Sequence, residues 1–147
     1  MRIYLDNCCY NRPYDDQTQL RISLETQAKL HIQNLIRTGI LELVSSYVLR
    51  YEIARNPNFK ARDSITEFVS QFSSVYVGNG NSFDILDVAK TIQSTGIKKM
   101  DALHVSCAIF ASSDFFVSTD KRLLKYQTNK LKLVTPIEFV SVLEDLQ

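Results

Sequence analysis

Two rhythms of apolar residues alternate along this chain, and the switching between them predicts its architecture. Short runs at Ile3 to Leu5, Leu41 to Val44, Val75 to Val77, Phe115 to Val117 and Leu131 to Val134 have the length and β-branched or aromatic content of strands. Between them apolar residues recur at helical spacing. Leu20, Leu24, Ala28, His31 and Leu35, with Ile32 and Ile36 beside them, predict a helix that Gly39 stops. Ser46 to Arg55 predicts a second, ended by Asn56-Pro57-Asn58. Ser64 to Phe72 carries Ile65, Phe68, Val69 and Phe72 on one face. Phe83 to Gln93, capped by Ser82, turns Ile85, Leu86 and Ala89 inward and Asp84 and Asp87 to water. Asp101 to Ser112 is apolar nearly all round, as a buried central helix is. Asp120 to Tyr126 reads as a short helix, and Pro136 to Leu146 as a closing one with proline in its first turn. Asn11 to Asp16 is a loop and Gly78 to Asn81 a turn. Regular alternation of strand and helix predicts an α/β fold, a central parallel sheet with helices on both faces in three α/β/α layers. Ligands in such folds bind off the carboxyl ends of the strands. One domain over residues 1–147 is expected, with no repeat or linker.

Four acidic residues break this pattern where something apolar or neutral is the norm. Asp6 follows the first strand, Glu52 lies inside the second helix, Asp101 opens the apolar helix and Asp120 follows the fourth strand. Carboxylates next to core elements are costly without a partner, and four converging would repel one another. A divalent cation is the simplest remedy, so Mg²⁺ or Mn²⁺ and phosphodiester chemistry lead. Each residue also has a plainer reading. Asp120 would cap its own short helix, Asp101 would interact with a helix dipole, and Glu52 would pair with Arg55 on the surface. Asp6 is the hardest to explain away, since no helix follows it in the predicted pattern. His104 stands one helical turn after Asp101; a satisfied core histidine is its leading reading, and His31 reads as structural. Cys8, Cys9 and Cys107, odd in number and without zinc-site spacing, read as buried free thiols.

Composition narrows the partners. Lys and Arg total 17 against 16 Asp and Glu, a net charge of +1, so attraction for a polyanion has to be local. Lys98 and Lys99 precede Asp101, and Lys121, Arg122, Lys125, Lys130 and Lys132 form a stretch without an acidic residue. These, with Arg12 and a stacking Tyr10 or Tyr14, are the candidate positions for binding nucleic-acid phosphates and bases. No apolar run approaches the ~18 residues of a membrane span, and the early charge in Met1 to Asp6 does not suit a signal peptide; a cytoplasmic location is expected.

The segments Tyr4-Leu5-Asp6-Asn7, Val44 to Glu52, Lys98-Lys99-Met100-Asp101-Ala102-Leu103-His104, and Phe116-Val117-Ser118-Thr119-Asp120 together resemble the signature blocks of the PIN-domain family. The resemblance implies a metal-dependent nuclease acting on single-stranded RNA, commonly the toxin of a bacterial toxin-antitoxin pair. It implies an antitoxin partner and a homodimer as well. On that resemblance Asp6, Glu52, Asp101 and Asp120 are the catalytic and metal-binding set, with Asn7 and Thr119 supporting them. Cys8-Cys9 after Asn7, and Leu123 where some members are acidic, depart from the family pattern. Two other functions are open at this stage. One is a PIN-like shell that binds RNA or protein without cleaving. The other is a Mg²⁺-dependent phosphoryl-transfer or receiver domain, although Cys8 stands where one such class needs a second aspartate.

Overall fold

A computed structural model describes residues 1–146 of the chain. Five strands form one sheet: β1 (Arg2–Leu5), β2 (Glu42–Ser46), β3 (Ser73–Val77), β4 (Phe115–Val117) and β5 (Lys132–Val134). Every pairing is parallel, in the order β3-β2-β1-β4-β5. Seven α-helices join them among the described residues: α1 (Asn7–Asn11), α2 (Leu20–Arg37), α3 (Tyr47–Ala54), α4 (Phe59–Phe72), α5 (Ser82–Gln93), α6 (Lys99–Phe110) and α7 (Pro136–Asp145). Successive β1 residues point to opposite faces of the sheet. Ile3, Tyr4 and Leu5 are all fully buried, so both faces are covered. This is the α/β/α arrangement that the alternating rhythms predict, consistent with a PIN-like fold.

Connectivity places the site. The chain leaves β1 toward β2 and β3 on one side, then crosses back to β4 and β5 on the other. The adjacent strands β1 and β4 thus send their connections in opposite directions, which opens a crevice at their carboxyl ends. The register sets Leu5 beside Val117, and the Asp6 N–H continues the ladder to the Val117 carbonyl at 2.9 Å. Asp6 and the Ser118-Thr119-Asp120 segment emerge together at that crevice. Beneath it lies a tight core, in which Tyr4 stacks on Phe116 with centroids 5.3 Å apart. Emptying the Phe116 position would cost about 3–5 kcal/mol. Helix α6 is buried nearly all round through Ala102, Val105, Cys107 and Ala108.

Local chemistry explains the helix ends. Ser46 caps α3 by accepting from the Leu49 N–H at 3.0 Å, Asn58 caps α4 from Ala61 at 3.1 Å, and Thr135 caps α7 from Glu138 at 3.0 Å with Pro136 following. Gly39 takes φ +81° just past α2, where a side chain would be strained.

Several elements differ from the pattern reading. Helix α1 and a 3₁₀ turn at Arg12–Tyr14 occupy much of the expected loop, so Asp6 does have a helix to cap. The expected helix from Asp120 to Tyr126 is only a 3₁₀ turn at Leu123–Lys125. Helix α4 starts at Phe59, five residues before the expected Ser64, because Asn58 rather than Ser64 supplies the cap. Ser82 is the first residue of α5 and not its cap. The stripe assigned to α2 is also turned: Leu20, Leu24 and His31 are exposed, while Glu25, Thr26 and Lys29 are buried with Ile32 and Ile36. Charged side chains take the inward positions because they find partners there. Glu25 meets two arginines, and the Lys29 ammonium lies 5.6 Å from the Tyr10 ring centroid and donates to Gln33. Burial still pulls the Lys29 ammonium down to about 8.

Candidate metal centre

Asp6 is held by its own turn and by the neighbouring strand end. The Asn7 N–H donates to its Oδ1 and the Ser118 hydroxyl to its Oδ2, both at 2.8 Å, leaving it 5% exposed. Ser118 Oγ also accepts from the Asp120 N–H at 3.1 Å, so one hydroxyl ties the Asp6 carboxylate to the backbone of Asp120. Asp120 Oδ1 accepts from the Arg122 N–H at 2.9 Å. The capping reading of Asp120 therefore describes one oxygen; Oδ2 takes no hydrogen bond from the described residues.

Glu52 reaches the crevice from the far half of α3. Its Oε1 lies 2.5 Å from His104 Nε2, not against Arg55, whose Nη1 donates to Tyr51. His104 is fully buried on α6, and its Nδ1 is 2.6 Å from the Tyr4 hydroxyl, itself 2.7 Å from Ser46 Oγ. Facing a carboxylate, Nε2–H is the donor to Glu52. With the neutral ring, Nδ1 accepts from Tyr4 O–H, Tyr4 accepts from Ser46 O–H, and Ser46 accepts from the Leu49 N–H. Burial pushes the Tyr4 phenol well above its ordinary value, so it keeps its proton. Burial opposes a charge on His104, but the Glu52 hydrogen bond with the negative charges of Asp6, Glu52 and Asp101 prevails and raises its pKa. His104 is thus a satisfied core histidine and the partner of a cleft carboxylate at once. The spacing Asp101 to His104 was the sequence signal for the second role.

Asp101 stands in the first turn of α6 and takes no hydrogen bond from the described residues. Burial first, then the charges of Asp6 and Asp120 and a smaller one from Glu52, raise its carboxyl to about 6 against the opposing pull of His104. Asp6, Glu52, Asp101 and Asp120 line one cleft of about 440 Å³, together with Asn7, Cys8, Asn11 and Asp15. The sequence pattern places Asp15 only in a loop and reads Cys8 as a buried thiol. Cys8 is half-buried, with its Sγ 3.4 Å from Asp6 Oδ2 and accepting from the Thr119 N–H at 3.3 Å.

The donor set suits a cation. Carboxylate oxygens of Asp6 and Glu52 and a ring nitrogen of His104 lie within 4.8 Å of one another, a spacing that could hold a metal ion, and Asp101 and Asp120 stand outside that trio on the same cleft. Because His104 Nε2 carries the proton shared with Glu52, the free ligand atoms are carboxylate oxygens, the preference of a hard divalent ion. Among the described residues no lysine or arginine forms an ion pair with any of the four carboxylates.

The supporting positions divide. The Asn7 N–H holds Asp6, and its side-chain Oδ1 is buried without a partner. Thr119 acts through its backbone, the carbonyl accepting from Arg21 Nη2 at 3.0 Å. Lys98, Lys99, Lys121, Arg122 and Lys125 are exposed in the segments flanking Asp101 and Asp120. Arg12 is not a free cation as expected: its guanidinium is bound to Asp15 at 2.8 Å and Glu25 at 3.2 Å. Tyr10 is buried and cannot stack on a ligand.

Fold and cleft define an α/β protein with a carboxylate-lined crevice at the switch point of a parallel sheet. No known protein family and no curated protein sequence matches the chain. Solved structures do. A chain of VapBC2 from Rickettsia felis, crystallised with a DNA fragment from its promoter, superposes with a TM-score of 0.57 at 14% identity, over 90% of this chain and 97% of that one. A chain of FitAcB from Neisseria gonorrhoeae gives 0.57 at 15% identity, over 92% and 98%. A chain of FitAB bound to the IR36 DNA fragment gives 0.52 at 17% identity, over 91% and 94%. At these identities the likeness is one of fold. No helix among the described residues is long and apolar enough to cross a membrane.

Proposed function

We propose that this protein is a Mg²⁺- or Mn²⁺-dependent endoribonuclease that hydrolyses single-stranded RNA. One observation carries the reading: four carboxylates from four separate segments line one cleft with no lysine or arginine partner among the described residues, and burial together with the neighbouring negative charges raises Asp101 to about 6. A structural role would be served better by a neutralising arginine or an apolar residue. Asp6, Glu52 and Asp101 would hold the ion, with Asp120 completing the set; when bound, it supplies charge stabilisation at the phosphate and an activated water. The chain's own groups orient the oxygens: Ser118 and the Asn7 N–H fix Asp6, His104 fixes Glu52, and the Arg122 N–H fixes one oxygen of Asp120. Lys98, Lys99, Lys121, Arg122 and Lys125 would contact phosphates on either side without reading sequence.

The preference for RNA and a role as the toxin of a toxin-antitoxin pair come from the PIN-domain resemblance, and the fold shared with VapBC2 and FitAB chains supports it. A protein partner that covers the cleft follows from the same reading. A labelled single-stranded RNA should be cut in Mg²⁺, left whole in EDTA, and left whole by Asp101→Asn. Binding that ignores metal and ends without cleavage would leave a binding module instead.

A further inference from the structure

The cleft continues beyond its carboxylates. A second concavity of about 660 Å³ shares Asn7, Asn11 and Glu52 with it and runs on past Tyr51, Arg55 and Asn56. Tyr51 immediately precedes Glu52 on α3 and is 53% exposed, with much of its ring left out of the core. Arg55, one turn on, lays its guanidinium 5.3 Å from the ring centroid and donates to the phenol oxygen at 2.8 Å. The end of this groove is pinned: Asn56 Nδ2 donates to Asn11 Oδ1 at 2.9 Å, which fastens the loop after α3 to the end of α1. Where the two concavities meet, Asn7 Oδ1 is buried and unpartnered.

An exposed aromatic ring braced by an arginine, beside carboxylates that would hold the metal ion at the scissile phosphate, matches the way proteins grip unpaired bases. The ring offers a stacking face to any base, and the guanidinium a charge to the adjoining phosphate. We propose that this groove is a base-binding subsite, in which Tyr51 stacks on the nucleotide flanking the scissile phosphate and Arg55 contacts the next phosphate. The assignment rests on the nuclease reading and gives a physical reason for its single-strand substrate, since bases inside a duplex have no free face for Tyr51.

The chain has no tryptophan, so Tyr51→Trp creates a single fluorescent reporter at the stacking position. In an Asp101→Asn background with Mg²⁺, an oligonucleotide of roughly six unpaired residues should quench it saturably, and a duplex of the same sequence should not. In the same background Phe83→Trp, at a position 84% exposed outside the groove, should stay bright. RNA and DNA versions of the strand show which sugar is preferred. In the cleavage assay, Tyr51→Ala should raise KM about 5- to 100-fold with kcat nearly unchanged, and Tyr51→Phe should restore it. Cleavage by the unmodified protein with no quench and an unaltered KM would overturn the subsite and keep the nuclease. Quenching without any cleavage would keep the stacking platform and remove the nuclease, and absence of both would remove both.

Discussion

Among the described residues, a buried glutamate on α2 and the four carboxylates of the cleft are treated in opposite ways. Glu25 on α2 is 2% exposed and fully answered: Arg12 donates to it at 3.2 Å, Arg21 lies at 3.4 Å, and Arg12 takes up Asp15 as well. It staples α2 to the turn after α1. Asp6, Glu52, Asp101 and Asp120 have no such answer: backbone N–H groups, one serine and one histidine orient all but Asp101, and no arginine or lysine among the described residues forms an ion pair with any of them. Paired charges inside a protein hold it together, whereas oriented and unpaired ones of a single sign are strained until a cation arrives. The distinction separates scaffold from site more sharply than burial does, since Glu25 is more buried than Glu52.

The sharpest break in this comparison is Asp101→Asn. RNA cleavage should fall at least about a hundredfold, beyond the 10–100-fold typical of losing an outer partner of a metal ligand. The metal-free protein should meanwhile melt higher, because a repelled charge has gone. A variant that melts lower and still cuts would make the cleft carboxylates structural. Glu25→Gln should do the reverse, lowering unfolding free energy by about 3 kcal/mol, the low end for breaking a buried pair because Arg21 reaches solvent. Denaturant titration measures the loss, and metal-induced stabilisation should be unchanged.

His104→Leu, which carries no donor, tests the link between core and cleft. Losing the donor to Glu52 should cost about 10–100-fold in metal affinity. Calorimetric titration with Mn²⁺ reads this directly, and an unchanged affinity would show that Glu52 needs no positioning.

The smallest effect expected is one of pH. Asp101 is raised above its unfolded value, so its contribution to metal-free stability is fully present below pH 3.8 and is lost as pH climbs through about 6. Melting in EDTA should therefore decline across that window, while stabilisation by Mn²⁺ should grow across it as the carboxylate ionises. Asp101→Asn should flatten both slopes; a slope that survives in that variant belongs to another group.

Much of the architecture could be read in advance from particular residues. The runs around Tyr4, Val44, Val77, Phe116 and Leu133 were recognisable as strands because a buried parallel strand is apolar on both faces. Asp6 and Asp120 were placed at one edge by topology alone. Helix α2 was misjudged because leucines at helical spacing look like a core stripe, and spacing carries no information about which face meets partners. The 3₁₀ turn after Asp120 fell short of a helix for a similar reason. A capping aspartate and basic residues describe how a helix would start, not whether packing rewards its continuation.

Period and propensity act between neighbours in the chain, so the alternation of strand and helix, and with it a parallel sheet with acidic residues at its carboxyl edge, was determined by the sequence alone. Electrostatic partnership acts through space between residues far apart in the chain. That Glu52 faces His104 rather than Arg55, that Arg12 serves Glu25 and Asp15 rather than a phosphate, and that Tyr51 opens into the groove were decided only when the fold set those distances. Interaction energy follows separation and solvent exposure, and neither is written in residue order.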